Sequence, residues 1–284
     1  MYTQVRNILS MAEESNTSVI GFVCMDYIMA RTVVYAAEAT NTPALVMLYP
    51  EHVTVQKTTG RVAYAEALKE LANEVKAPIG LHQDHDYTLE SIKKAMDAGF
   101  ESIMMDGSLY DLDKNIRMTK EVAEAAHVRN VLVEGEIGHV GLAADVDNDK
   151  DDLYTKPDAA ERFCRESGVD SLAVSIGNAH GEYKQTPHLD IERLENIKAA
   201  TSVPLVLHGG SGIPDDQLLV AFSKGIRKFN LGTDYLARYY AAVRAFVEEN
   251  NNNPDPVKII NLPEYVQAKL QPYVEERMKA LCKF

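Results

Sequence analysis

The feature that most constrains this chain is an alternation repeated eight times: a short apolar, β-rich run followed by a stretch with helical spacing. The strand-like runs fall at residues 18–24, 44–49, 79–83, 102–105, 131–135, 171–176, 205–207 and 228–231. Helical stretches at 61–75, 88–98, 113–126, 157–167, 190–200 and 215–224 lie between them. The runs are nearly continuously apolar, as parallel strands are when both faces are buried. Helix starts are marked by Thr88 with Ser91 nearby, by Asp113, by Pro157, and by Pro214 before Asp215 and Asp216. With no linker, repeat array or low-complexity tract, the pattern predicts an α/β fold, a (β/α)8 TIM barrel, and the 284 residues exceed the about 250 such a barrel needs. A doubly wound open sheet is the rival, but no G-x-G-x-x-G follows Cys24.

A single domain over residues 1–284 is expected. Asn250 to Asn253, with Pro254 and Pro256, break the eighth helix, and residues 262–281 then have amphipathic spacing. A C-terminal helical extension from about residue 250 to 284 follows, suited to capping the barrel or packing on another subunit. The Asp- and Gly-rich segment 138–156 exceeds ordinary connection length and reads as a mobile loop or lid.

The net charge of −13 argues against nucleic acid, which needs a basic footprint. It also means that an anionic substrate would have to be met by a metal ion and by helix N-termini. No apolar stretch approaches the roughly 20 residues of a membrane span. The polar stretch Met1 to Glu14 lacks the apolar core of a signal peptide. Cys24, Cys164 and Cys282 make neither a disulfide framework nor a Cys-x-x-Cys clip, which fits a reducing cytoplasm.

In a barrel, chemistry sits where strands end. Six successive strands here run into polar residues: Gln83-Asp84-His85, Asp106-Gly107-Ser108, Glu134-Gly135-Glu136, Asn178-Ala179-His180-Gly181, His208-Gly209-Gly210-Ser211-Gly212 and Asn230-Leu231-Gly232-Thr233. Any one of His85, His180 and His208 alone would read as a core histidine. Three at equivalent strand ends can converge across the barrel mouth as a three-imidazole zinc site with an open position. Asp84 is placed either as a general acid/base or as the orienter of a ligand imidazole. His82, one pleat deeper, reads as structural; His127, His139 and His188 read as solvated. The glycine clusters after strands seven and eight, each opening a helix, suit a phosphate site.

Assembled, these residues make the chain resemble the class II fructose-/tagatose-bisphosphate aldolase family. The likeness is carried by Leu81-His82-Gln83-Asp84-His85, Met105-Asp106-Gly107-Ser108, Val133-Glu134-Gly135-Glu136-Ile137-Gly138, Ala179-His180-Gly181, Leu207-His208-Gly209-Gly210-Ser211-Gly212-Ile213-Pro214 and Asn230-Leu231-Gly232-Thr233-Asp234. Asp152-Leu153-Tyr154-Thr155 and the stretch from Gly168 to Val174 add to it. The resemblance implies that His85, His180 and His208 bind Zn2+, that Asp84 is the proton donor, and that Asp106 and Glu136 form an outer metal position. It implies that Gly181, Gly209, Gly210, Ser211, Asn230, Leu231, Gly232 and Thr233 hold dihydroxyacetone phosphate, with a monovalent cation (Na+ or K+) assisting. The implied reaction is reversible retro-aldol cleavage of a ketose 1,6-bisphosphate, of tagatose or fructose type, to dihydroxyacetone phosphate and an aldehyde. A homodimer or homotetramer is expected.

The chain departs from the family pattern around the acceptor half. Val23 and Tyr49-Pro50 stand where relatives present an asparagine and a serine, and Gly232 replaces an aspartate or alanine. Where the family reads Gly-Gly-x-Glu, this chain reads Gly141-Leu142-Ala143-Ala144-Asp145, so Asp145 is the candidate for the loop acid. Two other readings stay open: a sister aldolase acting on another phosphorylated ketose or deoxy-keto sugar acid, and a non-catalytic paralogue that binds zinc or sugar phosphate. Asp84 argues against the second, since a binding module has no use for a proton donor. A metal-dependent hydrolase barrel would carry His-x-His on strand one, where this chain has Val23-Cys24-Met25-Asp26.

Overall fold

A computed structural model describes residues 1–52, 60–138, 154–251 and 253–284. Helix α1 (Val5–Glu14) precedes β1 (Val19–Val23), α2 (Tyr27–Thr40) and β2 (Ala44–Leu48). Then come α3 (Arg61–Ala72), β3 (Ile79–Asp86), α4 (Leu89–Asp97), β4 (Ser102–Met105), α5 (Leu112–His127) and β5 (Leu132–Ile137). The second half holds α6 (Pro157–Ser167), β6 (Ser171–Val174), α7 (Ile191–Ala200), β7 (Leu205–Leu207), α8 (Asp215–Ser223), β8 (Ile226–Leu231), α9 (Thr233–Asn251) and α10 (Leu262–Leu281). The strands pair in parallel in chain order, and β8 closes on β1 through Val19–Lys228 and Gly21–Asn230. The expected (β/α)8 barrel is the fold.

Local chemistry explains most boundaries. Thr88 caps α4 by accepting from the Ser91 amide, and Pro157 opens α6 where its missing N–H costs nothing. Helix α5 starts at Leu112 and not at Asp113: Asp111 accepts from the Lys114 amide, so the cap lies two residues upstream of the expected one.

Helix α1 falls in a stretch whose overall polarity hid it. Its Val5, Ile8, Leu9 and Ala12 recur at helical spacing and are buried. Val5, Ile8 and Leu9 pack with Val19, Leu45, Met47 and Leu132, closing the N-terminal end of the barrel with an apolar plug.

The C-terminal helix α10 packs along α2 and α9 on the outside of the barrel and does not cap its mouth. Val266, Leu270, Val274, Met278 and Leu281 form the buried stripe, each such side chain contributing about 1.5–3 kcal/mol by leaving water. Of the long segment expected to form a loop or lid, residues 139–153 lie outside the described residues. No helix among the described residues is long and apolar enough to cross a membrane.

Candidate active site and metal centre

The mouth of the barrel is built on an irregularity in β3. Gln83 pairs with Ile103 and Asp86 with Met105, so three steps on β3 face two on β4. This β-bulge interrupts the regular alternation of sides, and His85 takes a positive φ of 33°, where a non-glycine backbone is strained. Asp84 and His85, neighbours that a regular strand would send to opposite faces, therefore line one cavity together.

That cavity is also lined by Val23, Tyr49, His52, His180, Gly209, Gly210, Ser211, Asn230, Gly232, Thr233 and Leu236. The three expected imidazoles meet there. Ring centres lie 4.7 Å apart for His85 and His208, 5.0 Å for His85 and His180, and 5.9 Å for His180 and His208. His85 Nε2 faces His208 Nδ1 at 3.0 Å. One ligand atom from each of the three lies within 4.8 Å of the others, and the same holds for His85, Asp106 and Glu136.

The surrounding hydrogen bonds aim these rings. His85 Nδ1 bonds Asp106 Oδ2 at 2.9 Å, and Ser108 donates to Asp106 from both its amide and its hydroxyl. Burial alone would raise the Asp106 carboxyl, but the bonds from His85 and Ser108 hold it well below the usual range. Glu136 is the opposite case: burial, reinforced by the Asp106 carboxylate, pushes it up to about 8. Its buried Oε2 has no hydrogen-bond partner among the described residues. Burial opposes the charged form of His85, yet the Asp84, Asp106 and Glu136 carboxylates raise it to about 9.

This donor set fits a divalent cation. Two facing nitrogens at 3.0 Å, with a Glu136 oxygen that has no hydrogen-bond partner among the described residues 3.6 Å from His208 Nδ1, bring together the ligand atoms a divalent cation takes. A deeper cluster of His82, Asp84 and Glu134 also has ligand-like spacing, but the Lys228 ammonium already binds both Glu134 oxygens there. His82 bonds Ser102 Oγ through Nδ1.

Asp84 is buried and within reach of the trio. Burial would raise its carboxyl, but His85, His208, Lys228 and His82 together hold it below the usual value. Asn230 Nδ2 donates to Asp84 Oδ1 at 3.1 Å, while Asn230 Oδ1 is a buried acceptor with no partner among the described residues.

On the other side, a second cavity is lined by Gly181, Tyr183, Lys184, Ser211, Gly212, Thr233 and Asp234, with neighbours from residues 182 to 187. The loops after β6 and β7 touch here, and glycine is required. A Cβ on Gly209 would lie 2.2 Å from the Ala179 carbonyl oxygen, and one on Gly210 would lie 2.0 Å from the Phe229 ring. Tyr183 joins the two loops, accepting from the Ala179 amide and donating to the Gly209 carbonyl. Ser211 Oγ accepts from the Asp234 amide in the first turn of α9.

Of the residues singled out from sequence, His85, His180, His208, Asp84, Asn230 and the glycine clusters meet at the mouth, with Asp106 and Glu136 directly behind His85. Leu231 lines neither cavity; its side chain is buried in the apolar core. Asp145 lies outside the described residues. His127 is half-exposed against Asp170, His188 is exposed, neither lines the cavity that holds the trio, and His139 lies outside the described residues. Sequence reasoning did not single out Tyr183, His52 or Lys228. A lysine inside a strand that closes a barrel was the one available signal among these.

The model of the family described as fructose-bisphosphate aldolase class-II matches residues 3–283. The chain belongs to that family. A 6-phospho-5-dehydro-2-deoxy-D-gluconate aldolase from Shouchella clausii is 40% identical over 210 residues, 72% of this chain and 69% of that protein. A fructose-bisphosphate aldolase from Geobacillus stearothermophilus is 38% identical over 210 residues, 71% and 73% of the two chains. The crystal structure of the YdjI aldolase from Escherichia coli K12 superposes with a TM-score of 0.85 at 30% identity, covering 99% of this chain and 98% of that one. As a class II aldolase the chain is a carbon–carbon lyase, and its imidazole trio is the candidate metal centre of a metal-dependent family.

Proposed function

We propose that this aldolase uses Zn2+ to cleave a ketose 1,6-bisphosphate, of tagatose or fructose type, reversibly to dihydroxyacetone phosphate and an aldehyde. The observation that carries the reading is the convergence of His85, His180 and His208 beside the buried carboxylate of Asp84. His85, His180 and His208 would hold the ion, with Asp106 and Glu136 offering the outer position. Bound there, zinc supplies Lewis-acid stabilisation of the negative charge left on the donor ketone oxygen when the carbon–carbon bond breaks. It also supplies positive charge that a chain of net charge −13 otherwise lacks.

The chain's own groups do the rest. Asp84, ionised and anchored through Oδ1 by Asn230, takes the proton from the hydroxyl of the aldehyde half during cleavage and returns it during condensation. The free acceptor Asn230 Oδ1 receives a donor hydroxyl. Gly181, Gly209, Ser211, Gly232 and Thr233 bring backbone N–H groups and hydroxyls to the phosphate, Gly210 ties the loop to β8 by donating to the Asn230 carbonyl, and the backbone at Leu231 links them. A monovalent cation beside the phosphate, Asp145 as the loop acid, a homodimer or homotetramer, and cytoplasmic action, which suits three free thiols, complete the reading.

The 40% identity to a protein named 6-phospho-5-dehydro-2-deoxy-D-gluconate aldolase favours a second reading, a phosphorylated deoxy-keto sugar acid as substrate. A coupled cleavage assay decides between them. Fructose and tagatose bisphosphates, ketose monophosphates and phosphorylated keto-acids are compared, and a preferred keto-acid would overturn the bisphosphate reading. No cleavage of any of them, with zinc bound, would leave the non-catalytic paralogue.

A further inference from the structure

Lys228 sits on β8 in register with Val19 of β1 and Val206 of β7, its side chain 1% exposed inside the barrel. Its ammonium donates to both carboxylate oxygens of Glu134 on β5, three strands away, at 2.9 and 3.0 Å. Glu134 Oε1 also bonds His208 Nε2 at 2.8 Å, and Ser171 Oγ donates to Oε2 at 3.4 Å.

Stability does not account for this pair. Taking an ammonium and a carboxylate out of water costs several kcal/mol per ion, and apolar side chains of equal volume are often at least as stable. Val19, the register partner of Lys228, packs with Leu45 and Leu132 in an apolar cluster, so the barrel interior accommodates such a filling. What the pair does reach is one member of the imidazole trio. With Glu134 accepting at Nε2, that nitrogen of His208 carries the proton, and Nδ1 is left with its lone pair facing His85 Nε2. A carboxylate on the far nitrogen of a ligand imidazole fixes its tautomer and ring orientation. An unpaired glutamate in a dry lumen could turn or pull on the ring; two bonds from Lys228 hold both its oxygens and balance its charge.

We infer that Lys228 is a positioning residue for the metal centre: through Glu134 it fixes the tautomer and direction of His208, and thereby the metal affinity of the site. The inference rests on the zinc reading above. It also explains why the inner His82, Asp84, Glu134 cluster is closed to a second ion, since the lysine already supplies the cation there.

The test measures zinc affinity of the full chain by competition with a chromophoric chelator, together with the melting temperature of the metal-free form. Wild type, Lys228→Met and the double variant Lys228→Met/Glu134→Gln are compared. Lys228→Met strands a buried carboxylate, and zinc affinity is expected to fall about 10–100-fold, as for other partners of ligand histidines. The double variant removes both charges with little change of volume. A purely structural pair predicts that it recovers melting temperature and zinc affinity together. The positioning role predicts recovery of the melting temperature alone, because an amide at position 134 accepts more weakly and can turn its NH2 toward the imidazole. Double-variant zinc affinity within about threefold of wild type, well short of the 10–100-fold loss, overturns the inference. So does joint loss of stability and affinity in that variant, because the metal would then simply follow the fold. If Lys228→Met alone does not fold, the double variant decides. A wild-type chain that binds no zinc would sink the metal reading itself, a separate result.

Discussion

Asn230 on β8 donates to Asp84 on β3 at 3.1 Å, so the buried carboxylate next to the imidazole trio is tethered to the strand that leads into the phosphate-side loop. Oδ1 is engaged by that bond, which leaves the second carboxylate oxygen to exchange a proton with substrate. Asp84→Ala should therefore keep its metal and still bind donor phosphate while cleavage falls by roughly 10²–10⁴, the usual loss for a general acid/base. Asn230→Ala should cost about ten- to a hundredfold, the worth of one hydrogen bond to a charged group. Metal content by mass spectrometry and kcat settle it: if Asp84→Ala loses its zinc, Asp84 orients a ligand and carries no proton.

Metal dependence is the next expectation. Prolonged chelation should abolish activity, and zinc or cobalt should restore it. His208→Ala should lose metal and activity together, whereas His127→Ala, which disturbs a half-exposed bond to Asp170, should lose neither. Full activity in chelator, or a covalent adduct trapped by borohydride, would point to a Schiff-base mechanism instead.

The glycines of the phosphate side give a packing test. A Cβ at position 210 would meet the Phe229 ring at 2.0 Å and the Asn230 carbonyl at 2.9 Å. Gly210→Ala must displace one of them, with an overpacking cost of about 1–3 kcal/mol. The outcome to look for is a lower melting temperature together with a raised KM for the donor phosphate. Gly60, whose Cβ would meet nothing within 4 Å, is the control that should tolerate alanine.

The acceptor side should discriminate less sharply than a polar one. Val23 and Tyr49 line the cavity as expected, while Pro50 is not among its lining residues. The Tyr49 hydroxyl is already engaged with that of Tyr87 at 3.3 Å, and Val23 fills the space beside Gly232, where a Cβ would approach it to 3.2 Å. A pocket in which Val23 is apolar and the Tyr49 hydroxyl is already engaged rejects shortened substrates weakly. The kcat/KM values for fructose and tagatose bisphosphates should thus lie within a hundredfold of those for 1-phosphates with shorter tails, a span of about 2.7 kcal/mol. A larger preference for either bisphosphate would disprove the remodelled pocket.

Most of the barrel was legible because burial on both faces leaves eight apolar runs alternating with helical stretches, and no Gly-rich fingerprint of a doubly wound sheet follows the first. The trio was legible because strand ends in a barrel are equivalent positions, so His85, His180 and His208 could be grouped without knowing distances. What stayed hidden depended on contacts remote in sequence or on backbone detail. Helix α1 was masked by the charged half of an amphipathic surface. The positive φ of His85 and the bulge before it leave no mark on residue type. Lys228 meets Glu134 across 94 positions of chain, and no periodicity announces such a bond.

The bulge in β3 has one more consequence. Because it takes an extra residue between Gln83 and Asp86 to bring Asp84 and His85 to one cavity, the chemistry depends on a count as much as on composition. Deleting Asp86 would keep Asp84 and His85 in the chain but take the count back to that of a regular pleat, in which such neighbours face opposite ways. Inventories of active-site residues would score such a chain as intact. Its silence in an assay would be a fault of arithmetic in the backbone, and reinserting even a different small residue after His85 should restore more activity than any side-chain exchange.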